Sequence, residues 1–178
     1  SNERGTTGMH GSGLIELLAR EMTAEMLGIR AQAIAEAASA GAPVRRELLT
    51  KGVSFGAVTA QANGDVDTSE VEGVGEDLVI RPWSQKGVTI SLREFTIGAM
   101  NHHHGMQSME RYGLSQTGTR DFDQDLVVDE LTPGDLTALV LFQAALAPPH
   151  QIIPDDPELA AGVVRGGEVF TDIGCNAC

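Results

Sequence analysis

The chain has 178 residues, enough for a domain with a hydrophobic core, and 12 basic against 25 acidic residues give a net charge of −13. Such an acidic chain repels a phosphate backbone, so we expect no nucleic acid among its partners. No apolar run reaches the length of a membrane helix, so no membrane span is expected. The two cysteines are too few for a disulfide-stapled fold.

The first predicted element is a long helix that follows the glycine-rich loop "TTGMHGSG". Ser12 is its predicted N-cap, apolar residues recur at three- and four-residue steps over residues 15–33, and Gly41 ends the pattern. Glycines beside Met9 and His10 would let the backbone approach a flat group such as a cofactor edge. A flexible chain end is the alternative interpretation of this loop.

The next segment changes to the two-residue period of a β-strand. Residues 53–57 alternate, Asn63-Gly64 is a hairpin signal, and residues 77–81 suggest a third short strand. The pattern predicts a small antiparallel β-insertion over about residues 52–82.

A second helix is predicted from about Ser91 to Gly105, and it ends in "NHHH". Three consecutive histidines on a helix point about 100° apart, so they cannot all ligate one centre. A loop at Gly105 could aim His104 or Met106 at a haem iron. A structural role for these side chains is the alternative.

An acidic segment, "DFDQDLVVDE", has the alternating carboxylates of a calcium-binding loop. Its candidate ligands are Asp121, Asp123, Asp125, the carbonyl of Val127, and Asp129. The segment departs from the calcium pattern at Leu126, where glycine is usual, and at Thr132, where a bidentate glutamate is usual. A solvated acidic turn is the alternative to a Ca²⁺ site.

The clearest predicted helix follows in "LTPGDLTALVLFQAAL", where Thr132 and Asp135 form a capping box. A proline-rich linker and a short helix lead to Cys175 and Cys178. Cysteines at this spacing fit a haem-attachment site, a redox dithiol or half of a zinc site. Zinc would need two further ligands, and a redox dithiol usually lies in a βαβ context, which the pattern here does not indicate.

Five segments, in order over nearly the whole chain, resemble di-haem c-type cytochrome oxidoreductases related to bacterial cytochrome c peroxidases. They are "GMHGSGLIELL", "VDTSEVEGV…DLVIRPW", "KGVTISLREFTIGAMNHHHGMQ", "DFDQDLVVDELTPGDLTALVLFQAAL" and "RGGEVFTDIGCNAC". The resemblance implies a mainly α fold, a cytochrome c-like helical fragment with a small antiparallel β-hairpin insertion. It further implies a helical domain over residues 1–150 with histidine-rich and acidic loops. Residues 151–178 would be a linker and the start of a C-terminal haem-binding cytochrome c domain.

The resemblance also implies roles for individual residues. Cys175 and Cys178 would anchor haem c covalently, provided that a histidine follows Cys178 in a longer parent protein. The distal ligand would come from His103, His104 or Met106, or from the loop of Met9 and His10. His104, Gln107 and Glu110 are the candidates for the general acid or base in peroxide cleavage.

The expected protein is periplasmic, takes electrons from a small redox protein or another donor, and has hydrogen peroxide as a candidate substrate. The resemblance further implies a Ca²⁺ near the haems, which the acidic loop would bind. Two alternatives are a non-catalytic, calcium-stabilised module that docks an electron-transfer partner, and a thiol-disulfide oxidoreductase.

Overall fold

The computed structural model describes residues 8–84 and 86–177. The chain divides into two compact units, Ser1–Pro148 and Pro149–Cys178. The elements in chain order are α1 (Ser12–Ala40), β1 (Val44–Thr50), β2 (Val53–Ala60), β3 (Val66–Asp67), α2 (Leu92–His104), α3 (Met109–Tyr112), α4 (Leu114–Thr117), α5 (Pro133–Ala144), α6 (Pro157–Asp172) and a final 3-10 turn (Cys175–Ala177). The prediction of a mainly α chain with a small antiparallel β element is therefore confirmed.

The sheet has three strands, and it lies earlier in the chain than predicted. Its antiparallel order is β1-β2-β3, and the insertion begins at Val44 rather than near residue 52. Lys51 and Gly52 form the tight turn between β1 and β2, and both have positive φ (50° and 80°). The sequence pattern did not predict β1, because three consecutive charged residues in this strand interrupt the alternation of apolar and polar residues. The hairpin predicted at Asn63-Gly64 is present and joins β2 to β3.

The third strand predicted over residues 77–81 is wrong. Leu78 has φ +60°, which no β-strand residue adopts, and its side chain is fully buried. Asp77 accepts a hydrogen bond from the Val79 N–H at 3.2 Å and is paired with Arg81. The segment is therefore a turn that inserts Leu78 into the core.

The core of the first unit lies between α1 and the sheet. Met26, Leu48, Val58 and Leu78 form one buried cluster. Ala33, Ala37 and Ala60 form a second cluster, where small side chains let α1 approach β2 closely. The burial of Met26 agrees with the helical stripe in the sequence, which places methionines on the inner face of α1.

The start of α1 packs against the end of α5. Ser12 is not the N-cap, because Gly11 takes that position with φ 76°. The Ser12 hydroxyl instead donates to the Gln143 carbonyl at 2.7 Å. A Cβ at Gly13 would lie 2.3 Å from the Ala144 carbonyl oxygen, so only glycine allows this approach.

Side chains cap both α2 and α5, and the capping box predicted for α5 is confirmed. Ser91 accepts from the Glu94 N–H at 3.1 Å, and the Leu92 N–H donates to Glu16 of α1 at 2.7 Å. The capping box of Thr132 and Asp135 starts α5. These side chains satisfy N–H groups that a helix cannot satisfy internally.

The second unit contains α6, whose first turn is capped by Asp156, which accepts from the Glu158 N–H at 2.9 Å. All residues of α6 are exposed or half-buried within this unit, including Leu159, Val164 and Phe170. Across both units, the described helices include none that is long and apolar enough to cross a bilayer.

The ion pair in the turn at Leu78 should make stability depend on pH. Hydrogen bonding from Arg81 lowers the pKa of Asp77 to about 2 from its ordinary 3.8. The unfolded chain then binds more protons than the folded chain in this range, so the contribution of Asp77 is present above about pH 4 and is lost as pH falls toward 2. The fall in the free energy of unfolding between about pH 4 and pH 2 is here called the acid limb. We expect Asp77→Asn to make this fall smaller, as measured by urea unfolding at a series of pH values.

The neighbouring Glu76→Gln removes an equal charge from an exposed side chain and serves as the control. It should keep the wild-type acid limb. Equal slopes for Asp77→Asn and wild type would contradict the assignment of this limb to the ion pair.

Candidate functional site

The acidic loop between α4 and α5 brings three predicted ligands together. One oxygen each of Asp121, Asp123 and Asp125 can be chosen so that all three lie within 4.8 Å of one another. Asp121 is half-buried, whereas Asp123 and Asp125 are exposed. Hard carboxylate oxygens at this spacing can coordinate one Ca²⁺, which accepts six to eight oxygen ligands.

Two local hydrogen bonds fix the turn that carries these carboxylates. The Val127 N–H donates to Asp125 Oδ1 at 2.8 Å, and the Leu126 N–H donates to Asp121 Oδ2 at 3.1 Å. Gln124 and Leu126 have left-handed backbone conformations, with φ 64° and 76°. The loop therefore holds its carboxylates on one side at a cost in backbone strain.

The second oxygen of Asp121 lacks a partner. Asp121 Oδ1 is buried and accepts no hydrogen bond from the described residues. A buried acceptor without a donor costs about 1–3 kcal/mol, and more when it carries charge. A bound cation would remove this cost, and the donor set of three carboxylates fits Ca²⁺.

The structure does not bring Asp129 into the same group. Arg120 Nε donates to Asp129 Oδ2 at 2.7 Å, and this hydrogen bond raises the pKa of Arg120. A cation would have to compete with the guanidinium for Asp129. Val127 is exposed, and its predicted role as a carbonyl ligand stays a prediction.

Leu126 occupies the position where a calcium loop usually has glycine, and its backbone keeps the conformation that favours glycine. Its side chain is 91% exposed, so side-chain packing does little to stabilise this backbone conformation. A left-handed conformation costs a residue with a Cβ roughly 1–2 kcal/mol. Leu126→Gly removes this strain but adds conformational entropy to the unfolded chain, which offsets part of the gain. We expect a net rise in the free energy of unfolding of up to about 1 kcal/mol.

The measurement is chemical denaturation with and without Ca²⁺. Leu114→Gly, at an exposed site in α4 with no left-handed strain to relieve, is the control and should destabilise. Equal losses at both positions would show that Leu126 carries no strain.

The histidine segment closes α2. His102, His103 and His104 are exposed in its last turn, and Gly105 ends the helix with φ 69°. Met106 is half-buried, and its N–H donates to the Met100 carbonyl at 3.1 Å. Gly105 thus separates the exposed imidazoles from a half-buried methionine.

The two other predicted catalytic residues are held by polar contacts. The Gln107 N–H donates to Glu130 Oε2 at 2.7 Å, which ties this segment to the end of the acidic loop. Glu110 pairs with Arg93 of α2, whose Nε donates at 2.9 Å, and this pair lowers the pKa of Glu110. Both oxygens of Glu110 accept from Arg93, so the carboxylate stays ionised at neutral pH and is a weak base, and its role as general acid or base stays a prediction.

The remaining predicted cofactor residues lie near the ends of the described chain. Met9 is half-buried and His10 is exposed beside the start of α1. Cys175 is a free, exposed thiol in the 3-10 turn after α6. Cys178 lies outside the described residues.

Sequence reasoning missed a groove between α2 and α5, here called the α2–α5 groove. It has a volume of about 610 Å³, and its apolar lining residues are Met100, Met106, Leu131, Ala138, Leu139 and Phe142. Glu130 and Asp135 complete the lining. The available signal was the unbroken apolar run over residues 138–142, which makes α5 apolar on more than one face, and Phe142 in this run is 66% exposed.

Comparisons of the chain with family models, with curated proteins and with solved structures found no match. The family resemblance of the five sequence segments therefore stays a prediction.

Proposed function

We propose that the chain is part of a di-haem c-type cytochrome oxidoreductase that transfers electrons and reduces peroxide. One structural observation supports the proposal more than any other. The exposed thiol of Cys175 follows directly on an amphipathic helix, α6, whose apolar side chains are exposed within their unit. An apolar helix face that is followed by an exposed thiol suits covalent attachment of a flat, apolar cofactor.

Haem, when bound, supplies the redox chemistry, and the protein supplies attachment, ligands and proton handling. Cys175 would anchor the macrocycle together with Cys178. Met106, His103 or His104 would provide a ligand to the iron, with Met9 and His10 as the other source. His104 and Glu110 would hold or accept protons, and Gln107 would donate a hydrogen bond from its amide.

The remaining parts of the proposal follow from the same resemblance. The protein would be periplasmic, where c-type haem is attached, and a small redox protein would deliver electrons. An acidic chain of net charge −13 favours a donor with a basic docking face.

The test is attachment and ligation in a host that matures c-type cytochromes. The chain, extended by one histidine after Cys178, should carry covalent haem by mass spectrometry and show a Soret band. Cys175→Ser should lose one thioether bond. Met106→Ala should change the axial-ligand bands in the visible and near-infrared spectrum if Met106 binds iron.

An extension by alanine in place of histidine is the matched control, since it leaves both thiols but removes the proximal ligand. Attached haem whose spectrum is unchanged by substitutions at Met9, His10, His103, His104 and Met106 would contradict the proposed ligand set. A colourless histidine-extended chain would contradict the whole proposal.

A second candidate function is a calcium-stabilised module that docks an electron-transfer partner without catalysis. Asp121 Oδ1, which is buried and has no donor in the part of the chain that the structure describes, favours it, since a cation would satisfy this oxygen. This candidate requires Ca²⁺ binding in the complete absence of haem.

A further inference from the structure

The α2–α5 groove joins an apolar floor to a negatively charged edge. Met100, Met106 and Phe142 offer polarisable surface in a groove of about 610 Å³ that is largely open to solvent. Phe142 is 66% exposed, so its ring is available to a ligand. The groove therefore has an apolar lining against which one face of a compact apolar body can pack.

Both charged lining residues, Glu130 and Asp135, are acidic, and each is anchored through one oxygen. Glu130 Oε2 accepts from the Gln107 N–H at 2.7 Å, and Asp135 Oδ2 accepts from the Thr132 N–H at 3.1 Å. The other oxygen of each carboxylate has no donor among the described residues. Two fixed carboxylates with free acceptor oxygens thus line an otherwise apolar groove.

We infer that the α2–α5 groove binds a small organic cation, an ammonium group carried on an apolar or aromatic body. The ammonium would donate hydrogen bonds to Glu130 and Asp135, and the body would lie against the methionines and Phe142, whose ring also attracts a cation. The ligand differs from haem, so the inference goes beyond the proposed haem chemistry, and it concerns the haem-free chain, in which Met106 holds no iron.

The probe is phenethylammonium, added to the full chain with methyl-labelled methionine and followed by NMR. The methyl signals of Met100 and Met106 should shift in a saturable way, while those of Met22 and Met26, which are buried in α1, should stay in place. Phenethyl alcohol, which has the same body without charge, should bind at least about tenfold more weakly. Added salt should weaken phenethylammonium and leave the alcohol unchanged.

Three variants locate the site. Glu130→Gln and Asp135→Asn should each weaken phenethylammonium by about threefold to tenfold, since each removes one charged acceptor and keeps a polar group of equal size. Ala138→Trp should fill the groove and abolish binding. Ala35→Trp, on the exposed face of α1, is the matched control and should bind as wild type does.

Thermal melts of each variant separate loss of binding from loss of folding. Equal affinity for phenethylammonium and phenethyl alcohol would overturn the inference, as would unchanged methionine shifts at saturating probe. Full binding by Ala138→Trp would overturn it also, because that variant retains both carboxylates and only closes the groove.

Discussion

Calcium should raise the melting temperature of the chain by about 5–10 °C when free Ca²⁺ exceeds its dissociation constant 100-fold. The linkage at that concentration contributes about 2.7 kcal/mol. A chain of this size gains about 2–4 °C for each kcal/mol. The physical source is the aspartate triad, in which Asp121 Oδ1 is buried without a donor from the described residues. The measurement is a calorimetric melt in chelator and in Ca²⁺.

Asp121→Asn should abolish the calcium-dependent rise, because the amide is neutral and a weaker ligand for a hard cation. Glu72→Gln removes one carboxylate from an exposed site outside the loop and should leave the rise intact. A rise of equal size in Asp121→Asn would place the bound calcium elsewhere in the chain. Melts that do not respond to Ca²⁺ in the wild type would rule out the site.

Met26→Ala should destabilise the chain by about 2–5 kcal/mol, the range for removing a large buried side chain. Met26 is fully buried between α1 and the sheet, where it meets Leu48, Val58 and Leu78. The truncation leaves a cavity that these neighbours fill only in part. Equilibrium urea unfolding, with the midpoint and slope fitted together, measures the loss.

Leu14→Ala, on the same helix, is the control for helix propensity and loss of apolar side chain. Leu14 is 59% exposed, so its truncation should change stability by no more than about 0.5 kcal/mol. Losses of equal size at Met26 and Leu14 would contradict the placement of the core on the sheet side of α1.

Elements with local signals could be predicted from the sequence. The capping box of Thr132 and Asp135, the start of α2 near Ser91 and its end at Gly105 all involve residues within a few positions of one another. Each signal acts through its own backbone, so no tertiary information is needed. The prediction that Ser12 caps α1 was wrong, because the Ser12 hydroxyl donates to a distant carbonyl of α5 instead of capping its own helix.

The sheet and the site depend on contacts between distant residues, which a single sequence does not reveal. β1 is defined by its pairing with β2 and not by its own alternation, since Arg45, Arg46 and Glu47 are all exposed. The spacing of the aspartates predicted their convergence. It could not predict that Asp129 would pair with Arg120, because the loop must fold back to join them. The α2–α5 groove combines positions from separate elements for the same reason.

The length of α1 has a consequence for how the first unit melts. Its 29 residues span about 43 Å, with the N-terminal end seated on α5 and the middle on the sheet. Two small apolar clusters and the contacts of α1 with α2 and α5 thus all lie along a single helix. If α1 unfolds at the end that contacts α5, the part that packs on the sheet is destabilised, and the reverse also holds. The sheet and the α2–α5 layer should therefore unfold together in one cooperative transition.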